Sequence, residues 1–244
     1  MEHVRETRWD RKHRLIVEVA AATFLARGYA GTSMDDIAAT AAVSKQTVYK
    51  HFADKKQLFA DVVLATTDQV TATVQMVSAA LEDTTNLEQG LSELARSLLT
   101  TLMQPELLRL RRLVISTADQ FPDIGTAWYQ QGFGRVLAEL ASRFADLADR
   151  GLLRANDPLL AAHHFVGLLL WIPVNQAMFT GDDTSSKAHL ESYADAAAKT
   201  FLRAYAAAPA APADPADLPD PGRRSQGSRP RAAKPAPPRT RRSP

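Results

Sequence analysis

Apolar residues recur every three to four positions along most of the chain, and no stretch alternates with period two for long enough to form a strand. The pattern predicts an all-α protein of about nine helices. They span Asp10–Arg27, Ser33–Thr40, Lys45–His51, Lys55–Ala80, Leu87–Met103, Glu106–Gln120, Asp123–Arg150, Pro158–Phe179 and Lys187–Ala206. Gly28, Gly31, Pro105, Pro122, Gly151, Pro158 and Gly181 fall between them, where helix breakers and caps belong. In the first helix Ile16, Ala20 and Phe24 make one apolar stripe at i, i+4 and i+8.

The stretch GTSMDDIAATAAVSKQTVYKHF, residues 31–52, reads as two short helices joined by a tight turn. Thr32 is expected to cap the first, with Asp35 completing a capping box, and Ser44 to cap the second. Asp54 and Gln57 are placed to start the next helix. Ile37, Ala38, Val43, Val48 and Phe52 turn inward, and Ala38 and Ala41 are small where two helices cross closely. This is helix-turn-helix geometry, with the second helix presented outward. With Val48 inside, Lys45, Gln46, Thr47, Tyr49 and Lys50 face out or along the edges. Such a row of amide, hydroxyl and ammonium donors suits the major groove and its flanking phosphates.

Composition narrows the class. Of 244 residues 45% are hydrophobic and 23% charged, ordinary for a globular protein, and there is no cysteine to form a disulfide, a thiolate nucleophile or a thiolate metal site. The N-terminus has no apolar signal core, so a cytoplasmic protein is expected. The longest apolar run, Phe165–Val174, is about half the length of a membrane span, so no membrane partner is expected. The net charge of +2 is unevenly spread: residues 1–58 and 221–244 are basic and the body between them is acidic. Residues 207–244, rich in Ala, Pro and Arg, cannot bury enough apolar surface to fold and are expected to be a disordered, solvated tail. Non-specific attraction to nucleic acid is the alternative role. No nucleophile–base pair, phosphate-cradling loop or metal quartet supports an enzyme. His163 and His164 point about 100° apart on a helix, and no metal or cofactor is implied.

The residues from Ile16 to Phe59 resemble the DNA-binding domain of TetR-family transcriptional regulators. VSKQTVYKHFADKKQLF stands in place of the common VSKGTLYYHFxSKExL pattern, after a GY…TS…IA segment. Ala42 departs from it, occupying a turn position where glycine is common. The stretch beginning RLVISTADQFPDIGTAWYQQ is similar to the AefR-like C-terminal domain of the same family. The resemblance implies that Thr32 and Ser33 meet phosphate at a helix N-terminus, and that Ser44, Thr47, Tyr49, His51 and Lys55 are further phosphate contacts. It implies base contacts from Lys45 and Gln46, with Tyr49 at the edge and Lys50 beside them. Arg5, Arg8, Arg11, Lys12 and Arg14 belong to a basic arm that reaches flanking phosphate or minor groove, or is a solvated leader.

The implied organisation is a basic N-terminal arm (1–13), a three-helix helix-turn-helix domain (14–60), a helical ligand-binding and dimerisation domain (61–206) and the tail (207–244). The last two helices, paired with their copies, would make a four-helix bundle. Val166, Leu169, Leu170, Leu190, Ala194, Ala197 and Phe201 are the candidate interface positions. A pocket for a small apolar or amphipathic effector is implied, with Met103, Phe121, Trp128, Tyr129, Phe133, His164, Trp171, Gln176 and Met178 as candidate lining. The expected function is a homodimeric repressor that binds a palindromic double-stranded operator and is released by its effector. The alternatives are a ligand-responsive activator and a non-specific DNA-coating protein that uses the basic head and tail.

Overall fold

The computed structural model describes residues 7–181 and 186–207. Its helices are α1 (Arg8–Arg27), α2 (Met34–Thr40), α3 (Lys45–His51), α4 (Lys55–Ser78), α5 (Leu87–Leu102), α6 (Pro105–Thr117), α7 (Pro122–Ala127), α8 (Arg135–Asp149), α9 (Pro158–Thr180) and α10 (Lys187–Tyr205). A π-helical stretch, Trp128–Gly134, joins α7 to α8, and the residues at both junctions keep right-handed helical backbone angles. Counting α7, this stretch and α8 as one path, and the short 3-10 turn Ala79–Leu81 as the end of α4, the described residues form nine helices and no strand, as the periodicity predicts. The path is legible in the sequence as one long element, but its π register is not, because apolar spacing does not distinguish i+4 from i+5 hydrogen bonding over so few residues.

The caps explain why the elements start where they do. Thr7 and Asp10 form a capping box on α1, so the helix begins at Arg8 and absorbs residues read from the sequence as an arm. Asp54 caps α4 by accepting from the Gln57 N–H at 2.8 Å, while Gln57 Oε1 reaches back to the Ala53 N–H. Asn86, Asp157 and Ser186 cap α5, α9 and α10 with side-chain oxygens. Pro105, Pro122 and Pro158 sit in first turns, where a missing N–H costs nothing.

Two apolar clusters organise the described chain up to Ala207, which is one compact unit. The first holds Ile16, Ala20, Phe24, Ile37, Val48, Phe52, Leu58 and Phe59, and it extends to Leu110 and Val114 of α6 and Ile124 of α7. The second is built by α5, α8, α9 and α10 around Phe144, Phe165 and Phe201, whose rings pack at 5.0–5.5 Å. There is no break at the expected boundary between residues 60 and 61: α4 runs from Lys55 to Ser78 and serves both clusters. Polar links fasten the body's periphery. Arg96 of α5 makes a bidentate pair with Asp195 of α10, and Arg143 joins Glu139 and Glu82. Leu153 and Ala206 form an isolated antiparallel bridge that holds the end of α10. Residues 208–244, and with them nearly all of the expected disordered tail, lie outside the described residues, as does Arg5.

By length and composition alone α9, with 23 residues, is long and apolar enough to cross a membrane. The apolar run read from the sequence understated this, since the helix continues on both sides of it. Here α9 packs along α8 and α10, burying Ala162, Phe165, Val166 and Leu169 in the body.

Candidate DNA-binding face and ligand cavity

The helix-turn-helix is fixed by three local devices. Ser33, not Thr32, is the N-cap of α2. Its Oγ accepts from the Asp36 N–H at 3.1 Å, and the Asp36 carboxylate accepts from the Ser33 N–H at 3.1 Å. The Ser33 hydroxyl, which also donates to the Asp36 carboxylate at 2.6 Å, and then the Ser33 N–H hold the Asp36 pKa below the usual carboxylate range. The expected Thr32–Asp35 box is therefore displaced by one residue. Thr32 is buried and donates its hydroxyl to Gly28 O at 2.8 Å, closing the loop that follows Gly28, whose φ is +70°. Asp35 is left on the surface, where it accepts from Lys45. In the turn, Ala42 adopts φ 51°, the left-handed region that favours glycine. The Val43 N–H then bonds Ala38 O at 3.1 Å, and Ser44 caps α3 by accepting from the Thr47 N–H at 3.1 Å.

This geometry sorts the site residues. Val48 is fully buried and Phe52 follows it into the core, which turns the opposite face of α3 outward. Ser33, Ser44, Lys45, Gln46, Tyr49 and Lys50 are exposed; Thr47 and His51 are half-buried. Two residues expected to face phosphate are already engaged inside the protein. Thr32 is one. Lys55 is the other: its ammonium donates to Tyr29 O at 2.9 Å and Thr32 O at 2.8 Å and lies 4.3 Å from the centre of the Tyr29 ring. It clamps the loop between α1 and α2.

Trp9 has no place in the residues singled out from the sequence, yet it stacks on His51 with ring centroids 3.7 Å apart, and the Lys50 ammonium lies 5.6 Å from its ring. Trp9 and His13 sit at i and i+4 on α1, the spacing that could have flagged a shared face. The pair aims the first turn of α1 at the end of α3, so Arg8, Arg11 and Lys12 belong to a helix instead of a free arm. Burial lowers the His51 pKa, with His13, Lys12 and Lys50 adding to the effect, and its Nδ1 is buried with no hydrogen-bond partner.

In the body, a narrow apolar cavity of about 40 Å³ lies where α4, the end of α5, α6, the π-helical stretch, α8 and α9 converge. Leu102, Leu108, Val136, Val166 and Leu170 form part of its wall. Arg111, Trp128 and Phe133 divide it from an open groove of about 730 Å³ bordered by Tyr129 and Met178. Gly132 permits close approach of the π-helical stretch to α4, since a Cβ there would meet Thr67 Cγ2 at 3.2 Å. Four of the nine pocket candidates thus gather here. The other five are placed elsewhere by helix phase. Met103 is in the body core, Phe121 packs on Tyr29, and His164, Trp171 and Gln176 lie on the outer face of α9. His164 Nδ1 is 2.6 Å from the Tyr205 hydroxyl.

The candidate interface positions are also corrected by phase. Val166, Leu169, Leu170, Ala194, Ala197 and Phe201 are buried in the chain's own core, and Leu190 is packed against it. The sequence could not separate the two apolar faces of α9 because both are apolar. The face left uncovered carries Leu160, Leu168, Ile172 and, most exposed, Trp171 (69%) and Phe179 (88%).

A buried-framework helix-turn-helix with an outward, donor-rich second helix, carried on an all-helical body, defines the class: a helix-turn-helix DNA-binding protein. Comparison with known proteins gives the same answer. Residues 16–62 match the profile of the bacterial regulatory proteins of the tetR family, and residues 89–207 match that of the AefR-like transcriptional repressor C-terminal domain. A crystal structure of a TetR-family transcriptional regulator from Mesorhizobium loti is 52% identical with a TM-score of 0.81, covering 82% of this chain and all of that one. The flavonoid-responsive regulator FrrA is 27% identical with a TM-score of 0.64, over 80% of this chain and 97% of that one. The Bacillus subtilis HTH-type transcriptional regulator YhgD is 29% identical over 67% of this chain and 81% of its own length. The chain belongs to the TetR family of helix-turn-helix transcriptional regulators.

Proposed function

We propose that the protein is a homodimeric repressor of the cytoplasm that reads an inverted-repeat operator through α3 and leaves it when a small molecule enters the body cavity. The observation that carries this reading is the sorting on α3: Val48 is fully buried while Lys45, Gln46, Tyr49 and Lys50 stand exposed together. Gln46 suits bidentate pairing with adenine, and Lys45 suits guanine O6 or N7 once it exchanges Asp35 for DNA. Ser33, Ser44, Thr47 and His51 would hold the flanking phosphates.

One seven-residue helix reads too little sequence alone, so the dimer is part of the reading. The uncovered stripe from Leu160 to Phe179 supports a twofold interface in which α9 and α10 meet their copies. Repression is favoured by the match of the body to a repressor's C-terminal domain. A small-molecule effector is favoured by the apolar cavity between the elements that join head and body, and FrrA offers a flavonoid-responsive relative. The DNA route needs Thr32 and Lys55 only as supports of the α1–α2 loop.

The test is a selection of genomic fragments bound by the purified protein at physiological salt. The expected result is one enriched inverted repeat, lost with Gln46→Ala and Lys45→Ala. Uniform enrichment that survives both changes but fades without residues 221–244 would replace this reading by non-specific coating through the tail.

A further inference from the structure

The partition between cavity and groove carries two hydrogen-bond donors that find no acceptor among the described residues. Arg111 of α6 places its guanidinium 4.7 Å from the centre of the Phe133 ring, and no described residue gives it a hydrogen bond or an ion pair. The Trp128 indole N–H is likewise without an acceptor among the described residues. The two neighbouring arginines of α6 are occupied: Arg109 pairs with Glu106 at 3.8 Å, and Arg112 donates to Ala177 O at 2.9 Å.

Arg111 is half-buried, and a cation partly withdrawn from water without such a partner loses hydration that no described residue repays. Burial lowers the Arg111 pKa, and no carboxylate acts against it. Neither the cavity nor the groove has an acidic residue in its lining. What the partition lacks is an acceptor, preferably an anionic and planar one, since the guanidinium fork matches a carboxylate. A cationic ligand would meet Arg111 as a like charge.

We infer that the effector is a carboxylate-bearing amphiphile whose headgroup pairs with Arg111 and accepts from Trp128, and whose apolar portion enters the cavity beside Leu108, Val166 and Leu170. This rests on the reading of the cavity as the effector site. At about 40 Å³ the cavity is too small for an alkyl chain as it stands. Entry must part Phe133 from Leu108 and Leu170, and so displace the π-helical stretch that leads back through α7 to the head. Headgroup and chain thus have separate duties: Arg111 selects charge, and the chain drives the displacement.

The experiment is calorimetric titration of the full chain with decanoate, decanol and decylamine, all below micellar concentrations. Decanoate is expected to bind at least about tenfold more tightly than decanol, with decylamine the weakest. Arg111→Gln is expected to abolish the preference while leaving decanol affinity in place. Arg111→Lys, which keeps the charge and loses the fork, is expected to give an intermediate preference and serves if the glutamine variant does not fold. Equal or tighter binding of decanol or decylamine, or a decanoate preference that survives the loss of Arg111, overturns the anionic effector and leaves the cavity reading in place. Failure of all three to bind overturns the cavity reading and this inference with it.

Discussion

The Tyr29 and Phe121 rings meet edge-on, centroids 4.7 Å apart, and so join the loop after α1 to the start of α7. Close by, Lys56 of α4 pairs with Asp123 of α7 at 2.9 Å and lies 5.7 Å from the centre of the Phe121 ring. Ile124 of α7 is buried in the same cluster as Phe24 and Phe59. Since α7 continues into the π-helical wall of the cavity, the head and the body cavity share one helical path. A ligand that favours one position of that path shifts the head by its difference in affinity for the two positions.

Phe121→Ala is therefore expected to do two things. It should cost about 2 kcal/mol in denaturant unfolding, less than a fully buried phenylalanine because Phe121 is only half-buried. It should also weaken the effect of a bound ligand on DNA affinity, measured by anisotropy with and without ligand. Asp123→Asn removes an exposed pair and should change stability by no more than about 1 kcal/mol. A ligand response unchanged in both variants would show that α7 is not the path.

Ala42→Gly should stabilise the protein. Left-handed backbone costs an alanine roughly 1–2 kcal/mol, and glycine's greater unfolded-state freedom takes back about 0.5–1 kcal/mol. A net gain of about 0.5–1 kcal/mol is expected in a denaturant melt, with operator affinity unchanged. A loss would mean that the turn is not held in this conformation.

Gln46→Ala should weaken operator binding by about 1–3 kcal/mol and relax the preference at one position in each half-site. Lys45→Ala should reduce the slope of log affinity against log salt by about one per half-site, because one fewer cation then meets the DNA there. Neither change should alter the melting temperature, since both side chains are exposed and α3 is capped by Ser44. Equal affinity for operator and scrambled DNA in the unmutated protein would remove the basis for both expectations.

His51 should titrate below the ordinary histidine value of about 6.5 in an NMR titration. A folded-state pKa below the unfolded one means that the unfolded chain takes up the proton first. The stability due to neutral His51 is then present above the unfolded value and declines as pH falls through it. Trp9→Ala, which uncovers the ring, should move the midpoint back toward about 6.5. A midpoint at or above the ordinary value would contradict the burial seen here.

Trp171→Glu combined with Phe179→Glu should give a folded monomer by analytical ultracentrifugation, with its helical circular dichroism retained. Leu169→Ala, on the buried face of the same helix, should instead lower stability by about 2–5 kcal/mol and leave the assembly state alone. If the double variant remains dimeric, the twofold interface lies elsewhere.

Much of this molecule is determined locally, and the sequence determines it alone. Helix periodicity, caps and breakers give the nine-helix succession. The turn and the inward Val48 give the helix-turn-helix, because each depends on residues within a few positions of one another. Tertiary structure decided what depends on phase and distance. Thr32 looked like a cap, but the buried loop drew its hydroxyl to Gly28 O and passed the cap to Ser33. Lys55 looked free, but two carbonyls 23 and 26 positions away hold it. On α9, apolar on nearly every side, only packing against α8 and α10 chose Val166 and Leu169 for the core and left Trp171 and Phe179 outside. Arg111 is one of three basic residues in RLRR and could not be told from its neighbours until the fold gave the others their partners and left it facing the cavity.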